Sequence, residues 1–234
     1  MASKTIWAAA GAAAGLLGYA VRGRSAALLA PSVYRGSSRE PKLALTFDDG
    51  PSEATPDILN LLDEYGVKAT FFQIGANVRR LPEFAREVAG RGHEIGNHSD
   101  THPLFVFRNP QFIHGELARA QETISEVTGQ QPGFLRVPYG ARWFGLREAQ
   151  RRLSLLGVMW TVIGCDWKLP ARRIADRILR GADNGGILCL HDGRELERAP
   201  EAGETVESLR QILPPLLARG FQFVTIGSLV CPTI

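Results

Sequence analysis

The sequence predicts an α/β fold built on a parallel sheet or barrel of about seven strands. Short apolar runs alternate with segments of helical periodicity along most of the chain, and such alternation is typical of parallel sheets covered by helices. A glycine follows four of the predicted helices, at positions 66, 92, 129 and 220, where a left-handed C-cap is expected. The 234 residues suffice for one sizeable domain of this class.

The predicted elements follow each other as single strands separated by single helices. Apolar residues at positions i, i+3 and i+4, as in Ile58, Leu61 and Leu62, identify the helices. Strands are predicted at 43–47, 69–74, 94–97, 133–137, 158–163, 187–190 and 221–226. Helices are predicted at 55–65, 82–91, 110–128, 146–155, 171–182 and 206–219.

The amino-terminal part differs in composition from the rest of the chain. Residues 6–21 carry no charge, with Lys4 before them and Arg22 and Arg24 after them. Sixteen residues fall between the apolar core of a signal peptide and a spanning helix of about 20 residues. We therefore expect a signal peptide or membrane anchor at 1–25, a linker at 26–41 and one domain at 42–234. A soluble alanine-rich helix is the alternative.

This segment also predicts where the protein acts. An anchor or export signal favours a bacterial-type cell envelope, with the protein membrane-anchored or secreted. The basic residues that follow the segment keep the cytoplasmic face of the membrane open as an alternative. Because the linker is polar, we expect deletion of residues 1–38 to leave a soluble domain.

Composition excludes some partners. The net charge of +3 is too small to indicate nucleic acid, and no nucleic-acid motif is present. Apolar content of 44% and charged content of 22% are ordinary for a globular protein. The three cysteines, Cys165, Cys189 and Cys231, are too few for a disulfide framework. They lie in or beside apolar runs, which favours buried free thiols.

The first strand of the predicted domain ends in two adjacent carboxylates. The apolar run 43–47 leads into Asp48, Asp49, Gly50 and Pro51. Ligand sites of α/β folds lie at the carboxyl ends of such strands. Neighbouring side chains of an extended segment point to opposite sides, so the two acids can have different functions. Turn formation and helix capping are the alternative explanation of this motif.

Other polar residues follow other predicted strands. His98 and His102 follow the third strand, and two histidines four apart can converge on one metal ion if they span a helical turn. Alone this pair is a weak signal. Further polar residues follow the next three strands: Arg136, Asp166 with Trp167, and His191 with Asp192. Their accumulation at one edge of the sheet indicates a catalytic site.

Taken in order, these motifs resemble those of a known family. The segments are 46–52 (Thr-Phe-Asp-Asp-Gly-Pro-Ser), 98–102 (His-Ser-Asp-Thr-His), 136–140 (Arg-Val-Pro-Tyr-Gly), 166–167 (Asp-Trp) and 190–192 (Leu-His-Asp). In order and spacing they are similar to the five motifs of polysaccharide deacetylases with the NodB homology domain, carbohydrate esterase family 4. The resemblance covers roughly residues 42–229. It implies a distorted, incomplete (β/α) barrel with outer helices, and metal-dependent removal of N-acetyl groups from sugars.

The resemblance also implies a role for each motif residue. Asp49, His98 and His102 would hold a divalent metal, most often zinc, with cobalt or nickel possible. Such a set with open positions suits hydrolysis. The implied acid–base groups are Asp48 as general base oriented by Arg136, and His191 as general acid paired with Asp166. The backbone N–H of Tyr139 would stabilise the oxyanion.

Substrate contacts are implied for Trp167, Cys189, Leu190 and Tyr139, with Trp167 as a wall of the acetyl pocket. The sequence departs from the family pattern at Cys189, where leucine is common, and at Ile163 and Gly164, where an acid is common. The expected substrate is an N-acetylglucosamine-containing glycan of the chitooligosaccharide or peptidoglycan type. Alternatives are a lipid-linked sugar, a non-sugar amide, or a catalytically silent carbohydrate-binding homologue.

Overall fold

The computed structural model describes residues 2–230, and the expected thiol of Cys231 lies outside this range. The described chain forms a single sheet in which every strand pairing is parallel. The strand order is β1-β6-β5-β4-β3-β2-β8-β7, and β9 pairs with the start of β2. This curled sheet with helices around it confirms the prediction of a distorted, incomplete (β/α) barrel.

The strands are β1 Ser32–Val33, β2 Lys42–Asp48, β3 Thr70–Gln73, β4 Glu94–Asn97, β5 Phe134–Leu135, β6 Leu156–Val158, β7 Val162–Ile163, β8 Gly186–His191 and β9 Gln222–Phe223. The helices are α1 Ala2–Arg22, α2 Thr55–Glu64, α3 Gly75–Arg80, α4 Pro82–Gly90, α5 Pro110–Thr128, α6 Leu146–Leu153, α7 Ala171–Gly181, α8 Gly203–Ala218 and α9 Ile226–Val230. None of the described helices is long and apolar enough to cross a membrane.

Side-chain alternation along the central strand β2 separates the core from the site. Leu43, Leu45 and Phe47 point toward the helices and belong to the main hydrophobic cluster with residues of α2 and α8. Thr46 and Asp48 point to the opposite face of the sheet, because successive side chains of a strand alternate. The same strand therefore supplies apolar packing on one face and polar groups on the other.

The amino-terminal part is more closely integrated than a linker would be. Within 26–41, Ala30 is fully buried and β1 pairs with β6 at the edge of the sheet. The fully buried side chain of Arg142 donates a hydrogen bond to Ser32 Oγ at 3.0 Å. The segment thus contributes to the sheet, whereas the proposed division into domains stays a prediction.

One predicted strand is divided in two. The expected strand at 158–163 appears as β6 and β7, which lie in different parts of the sheet. β6 pairs with β5 and β1, whereas β7 pairs with β8 at the other edge. Between residues 158 and 162 the chain passes from β6, which lies next to the edge strand β1, to β7 at the opposite edge. An apolar run in the sequence does not reveal such a crossing.

We predict that deleting residues 1–38 destabilises the fold, in contrast to the expectation from composition alone. The deletion removes β1 and the hydrogen bond that Met159 N–H donates to Val33 O at 2.7 Å. It also removes the buried Ala30 and thereby exposes to water the side chains that pack against it. Relative to a chain that starts at Ser25, the loss should be about 2 kcal/mol in the free energy of unfolding. Urea unfolding of the two chains checks this, and equal stabilities would contradict it.

Candidate active site

The Asp48-Asp49 pair lies at the carboxyl end of β2, where the turn needs Gly50. The carboxyl group of Asp192, in the segment after β8, packs against this turn, so that a Cβ atom at Gly50 would lie 2.1 Å from Asp192 Oδ2. Thr55 Oγ1 donates a hydrogen bond to the same oxygen at 2.7 Å. Close contact between two strand ends therefore explains why glycine follows the two acids.

Asp49, His98 and His102 converge into a group that can hold a metal ion. Their ligand atoms all lie within 4.8 Å of one another. Asp49 Oδ1 is 3.2 Å from Nε2 of each histidine, and within the described chain this buried oxygen has no hydrogen-bond partner. Tetrahedral zinc with ligand distances of about 2.1 Å separates its ligand atoms by about 3.4 Å. The residues present therefore fit a zinc-type ion.

The two histidines reach this arrangement through an irregular loop, and not through the helical turn considered above. His98 follows β4 directly, and both Ser99 (φ 65°) and His102 (φ 57°) adopt left-handed backbone angles. His98 Nδ1 lies 2.6 Å from the backbone oxygen of Arg136. A proton on Nδ1 donates to that oxygen and leaves the Nε2 lone pair free to bind a metal.

The charges within this group favour the metal-binding form of two of its three members, Asp49 and His102. Burial raises the pKa of Asp49, but contacts with His98 and His102 outweigh this and hold it well below its usual range. Burial and the nearby His98 lower the pKa of His102 to about 4. The pKa of His98 is lowered by burial but raised overall by Asp49 and Asp48. A carboxylate and a neutral imidazole are the forms that bind metals.

Asp48 has a separate set of partners. Arg136, whose side chain is fully buried, donates from Nη1 to Asp48 Oδ1 and to Thr46 Oγ1, both at 2.7 Å. The guanidinium also stacks over the ring of Phe72, with 4.3 Å between its carbon and the ring centroid. One oxygen of Asp48 is thus fixed by Arg136.

A second group, Asp48, Cys189 and His191, also has ligand atoms within 4.8 Å of one another. Its chemistry suits a metal less well. Burial and the adjacent Asp48 raise the pKa of the Cys189 thiol well above its usual range, so the thiolate that binds metals is disfavoured. Cys189 Sγ lies 3.5 Å from Asp48 Oδ2, as a thiol that donates to the carboxylate.

His191 is oriented by Asp166, as the resemblance implies. Its Nδ1 lies 2.9 Å from Asp166 Oδ1, and its backbone N–H donates to Asp166 Oδ2 at 2.8 Å. Thr205 Oγ1 donates to the same Oδ2 at 3.0 Å. Burial lowers the pKa of His191, but the Asp166 carboxylate outweighs this and raises it to about 9. The imidazole can therefore hold a proton at neutral pH.

These groups surround one pocket of about 600 Å³. It is lined by Asp48, Asp49, His98, His102, His191, Tyr139 and Trp167 from the predicted set, and by Arg22, Trp160, Ile163, Arg194 and Glu195. The indole of Trp167 meets the His191 ring edge-on at 5.1 Å between centroids. Its half-exposed side chain lines the pocket, and its role as a wall of the acetyl pocket stays a prediction.

Two residues expected to contact substrate, Leu190 and Cys189, are not among the described residues that line this pocket. Leu190 points toward the helices and belongs to the main hydrophobic cluster, because it alternates with Cys189 and His191 along β8. Cys189 is fully buried next to Asp48. Contact of either side chain with substrate therefore stays a prediction.

Glu195 was missed by sequence reasoning. Its backbone N–H donates to Asp49 Oδ2 at 2.9 Å, and its carboxylate accepts the Tyr139 hydroxyl at 2.8 Å. Asn77 Nδ2 donates to the backbone oxygens of both Asp49 and Glu195. The loop after β8 thereby positions the Asp49 carboxylate of the candidate metal site. A glutamate in a polar loop carries no signal of such a contact.

Comparison with known families agrees with this geometry. The family model described as polysaccharide deacetylase matches residues 35–158, more than half of the chain. The chain belongs to the polysaccharide deacetylase family. It is 32% identical over 200 residues to a peptidoglycan-N-acetylglucosamine deacetylase of Bacillus cereus, covering 84% of this chain and 70% of the relative. It is 36% identical over 198 residues to a chitooligosaccharide deacetylase of Bradyrhizobium sp., covering 81% and 90%.

Solved structures of this family have the same fold. A peptidoglycan N-acetylglucosamine deacetylase in complex with 4-naphthalen-1-yl-N-oxidanyl-benzamide superposes with a TM-score of 0.80 at 31% identity, covering 86% of this polysaccharide deacetylase and 92% of that chain. A CE4 family pseudoenzyme from Bacillus anthracis gives a TM-score of 0.78 at 28% identity, covering 86% and 71%. Fold alone therefore does not separate active from silent members.

We predict that Asp49→Ala lowers zinc affinity by about 10²-fold or more, because it removes one of three converging ligands. Competition with a chromophoric chelator measures this affinity without reference to activity. Asp48→Asn is the matched control, since its partner is Arg136, and it should retain zinc. Zinc loss in Asp48→Asn with retention in Asp49→Ala would show that the wrong acid was assigned to the metal.

Proposed function

We propose that this polysaccharide deacetylase removes N-acetyl groups from N-acetylglucosamine-containing glycans of the peptidoglycan or chitooligosaccharide type. The observation that carries the proposal is the pairing of a complete metal-ligand set with two acid–base groups in one pocket. Asp49, His98 and His102 form the set, and Asp48 and His191 flank it. Relatives named for these two substrate types, at 32% and 36% identity, support the substrate class.

The enzyme is metal-dependent, as its family is, and we propose zinc as the metal. Two imidazole nitrogens and one carboxylate oxygen match the preferences of zinc, while cobalt and nickel suit the same donors. When bound, the metal supplies Lewis acidity that polarises the amide carbonyl and lowers the pKa of water. His98 is held in the metal-binding tautomer by its contact with the backbone oxygen of Arg136.

Asp48 is the proposed general base. Arg136 fixes Asp48 Oδ1, so that the carboxylate keeps one orientation at the pocket wall. From there it can accept the proton of the attacking water. Tyr139, whose ring lies 4.7 Å from that of His102, lines the same pocket, and its backbone N–H is the proposed donor to the oxyanion of the tetrahedral intermediate.

His191 is the proposed general acid. Expulsion of an amine requires that the amide nitrogen be protonated as the C–N bond breaks. The carboxylate of Asp166 holds the proton-bearing form of His191 and orients its ring. Arg136 and Asp166 thus have parallel roles, each positioning one of the two groups that move a proton.

Three alternative functions can be distinguished from glycan deacetylation. The intact ligand set and both acid–base groups argue against a silent carbohydrate-binding homologue. A lipid-linked sugar or a non-sugar amide would use the same chemistry. Acetate release from chitooligosaccharides, peptidoglycan fragments and a simple N-acetylated amine tests the proposal. We expect release from the first two, and release from the amine alone would overturn the glycan assignment.

We also propose that the protein acts in the cell envelope in association with a membrane. The uncharged residues 6–21 support this location. The cytoplasmic face of the membrane is the alternative, favoured by the basic residues that follow. Fractionation of cells that carry the full chain tests the location, and recovery as freely soluble cytoplasmic protein would reject it.

Removal of the base should separate chemistry from metal binding. We predict that Asp48→Asn lowers kcat for chitooligosaccharide about 10²–10⁴-fold, because a general base contributes about that factor. Measured acetate release per bound zinc gives the value. Activity within a few-fold of the original enzyme, at equal zinc content, would exclude Asp48 as the base.

The loss of activity on removal of the proposed general acid should depend on the leaving group of the substrate. We predict that His191→Ala lowers amide turnover about 10²–10⁴-fold but impairs hydrolysis of an activated acetate ester much less, because that leaving group needs no proton. Zinc content serves as the control. Equal losses on amide and ester would rule out the general-acid role.

The pH profile should report the Asp166–His191 pair. A general acid works in its protonated form, so activity falls as pH rises through the pKa of His191, which Asp166 raises. A bound divalent cation would lower that pKa, so the predicted quantity is the difference between variants. We predict that Asp166→Asn moves the alkaline limb to lower pH, as measured by kcat/KM against pH. An unmoved limb would contradict the pairing.

A further inference from the structure

The amino-terminal helix α1 exposes an apolar surface that water does not stabilise. Residues 11–19 are all exposed, and none of residues 6–21 is charged. Leu16 is 70% exposed and Trp7 is 75% exposed. A helix that is apolar on all sides is normally buried in protein or lipid. The described part of the chain covers only its carboxyl-terminal end.

That end is fixed to the catalytic domain. Arg142 donates from its backbone N–H to Val21 O at 3.0 Å, and its buried guanidinium donates to Gly23 O. Arg24 Nη1 donates to Thr161 O. Arg22, the last residue of α1, lines the catalytic pocket. The helix therefore has a defined position next to that pocket and is not a detached anchor.

The catalytic domain continues the exposed surface of α1. A groove of about 560 Å³ lies between α1 and the domain, and it is lined by Leu16, Leu17, Ala20, Leu28, Leu29, Phe144, Gly145 and Arg147. Arg147 Nη2 donates to Ala27 O and Leu28 O, at 2.8 and 3.0 Å, and thereby holds Leu28.

Aromatic side chains extend this surface beyond the groove. Phe144, 57% exposed, contacts Trp143, which contacts Phe107, 86% exposed; the ring centroids are 5.2 and 5.0 Å apart. We call Leu16, Leu17, Leu28, Phe107 and Phe144 the apolar surface.

The charges around the apolar surface identify its partner. Basic side chains border this surface: Arg22 ends α1 and Arg24 follows, Arg108 comes directly after Phe107, and Arg147 lines the groove. Anionic phospholipids attract basic residues next to an apolar segment, and exposed aromatic rings favour the interface between headgroups and acyl chains. An apolar protein partner would not account for these basic side chains.

We propose that the apolar surface inserts into one leaflet of an anionic phospholipid bilayer, with α1 along the membrane plane. At 1.5 Å per residue, residues 6–21 extend about 24 Å, short of a hydrocarbon thickness of about 30 Å. The catalytic domain itself thereby contributes Phe107 and Phe144 to membrane binding, and the segment 26–41 contributes Leu28. Because Arg22, the last residue of α1, lines the catalytic pocket, this arrangement places the pocket next to the lipid headgroups. The enzyme then works on glycan next to the membrane.

Co-sedimentation of the full chain with vesicles tests this docking surface. We expect binding to vesicles of phosphatidylglycerol and phosphatidylethanolamine, and much weaker binding to phosphatidylcholine vesicles. Leu28→Glu and Phe144→Glu should each weaken binding about 10-fold or more, because a carboxylate would enter the apolar layer. The matched control is Leu217→Glu on α8, a 36% exposed leucine on a helix that packs against α2 and α7, and it should bind like the original chain.

Circular dichroism and acetate release from soluble chitooligosaccharide control for folding, and both should be unchanged in these variants. Vesicle binding is read without catalysis, so failure of the proposed function would leave this test intact. If Leu16→Glu abolishes binding while Leu28→Glu and Phe144→Glu bind normally, α1 acts alone and the proposal is overturned. Absence of vesicle binding also overturns it, as does a dimer that these variants dissociate in sedimentation velocity.

Discussion

The buried ion pair between Arg136 and Asp48 is the interaction on which the site most depends. The guanidinium carbon of Arg136 lies over the Phe72 ring of β3. The guanidinium nitrogens donate to the backbone oxygens of Val158 and Met159 and to the Thr46 hydroxyl of β2. One side chain thereby links three parts of the sheet. Removing either charge would leave the other buried and unpaired, at a cost of about 3–5 kcal/mol. The proposed base is therefore positioned by a contact that also stabilises the fold.

The two-residue period of the strands explains how one pair of neighbouring strands carries both core and chemistry. β2 and β8 are paired in register from Leu43 with Gly186 to Asp48 with His191. On one face, Leu45, Phe47 and Leu190 join the main hydrophobic cluster. On the other face, the proposed base and the proposed acid come from paired positions of adjacent strands. Parallel pairing thus brings together two groups that are 143 residues apart in sequence.

Much of this arrangement could be predicted from sequence because it depends on periodicity and on polar residues at strand ends. The strands β2, β4 and β8 and the helix α5 were predicted to within a residue or two: short apolar runs define β2 and β8, helical periodicity defines α5, and β4 lies between a glycine after a helix and the His98 motif. β1 has only two residues, too few to show an alternation of apolar and polar side chains, so only its pairing with β6 reveals it. The left-handed angle of His102, the inward loop at Glu195 and the contact of Arg22 with the pocket depend on tertiary packing that no local pattern encodes.

We propose that the metal binds to Asp49, His98 and His102 and not to the neighbouring group of Asp48, Cys189 and His191. Anomalous diffraction at the zinc absorption edge, from crystals of the full chain grown with zinc, distinguishes the two groups directly. We expect one strong peak about 2.0–2.2 Å from Asp49 Oδ1 and from Nε2 of both His98 and His102. A peak bonded to Cys189 Sγ at about 2.3 Å, with Asp48 displaced from Arg136, would contradict it.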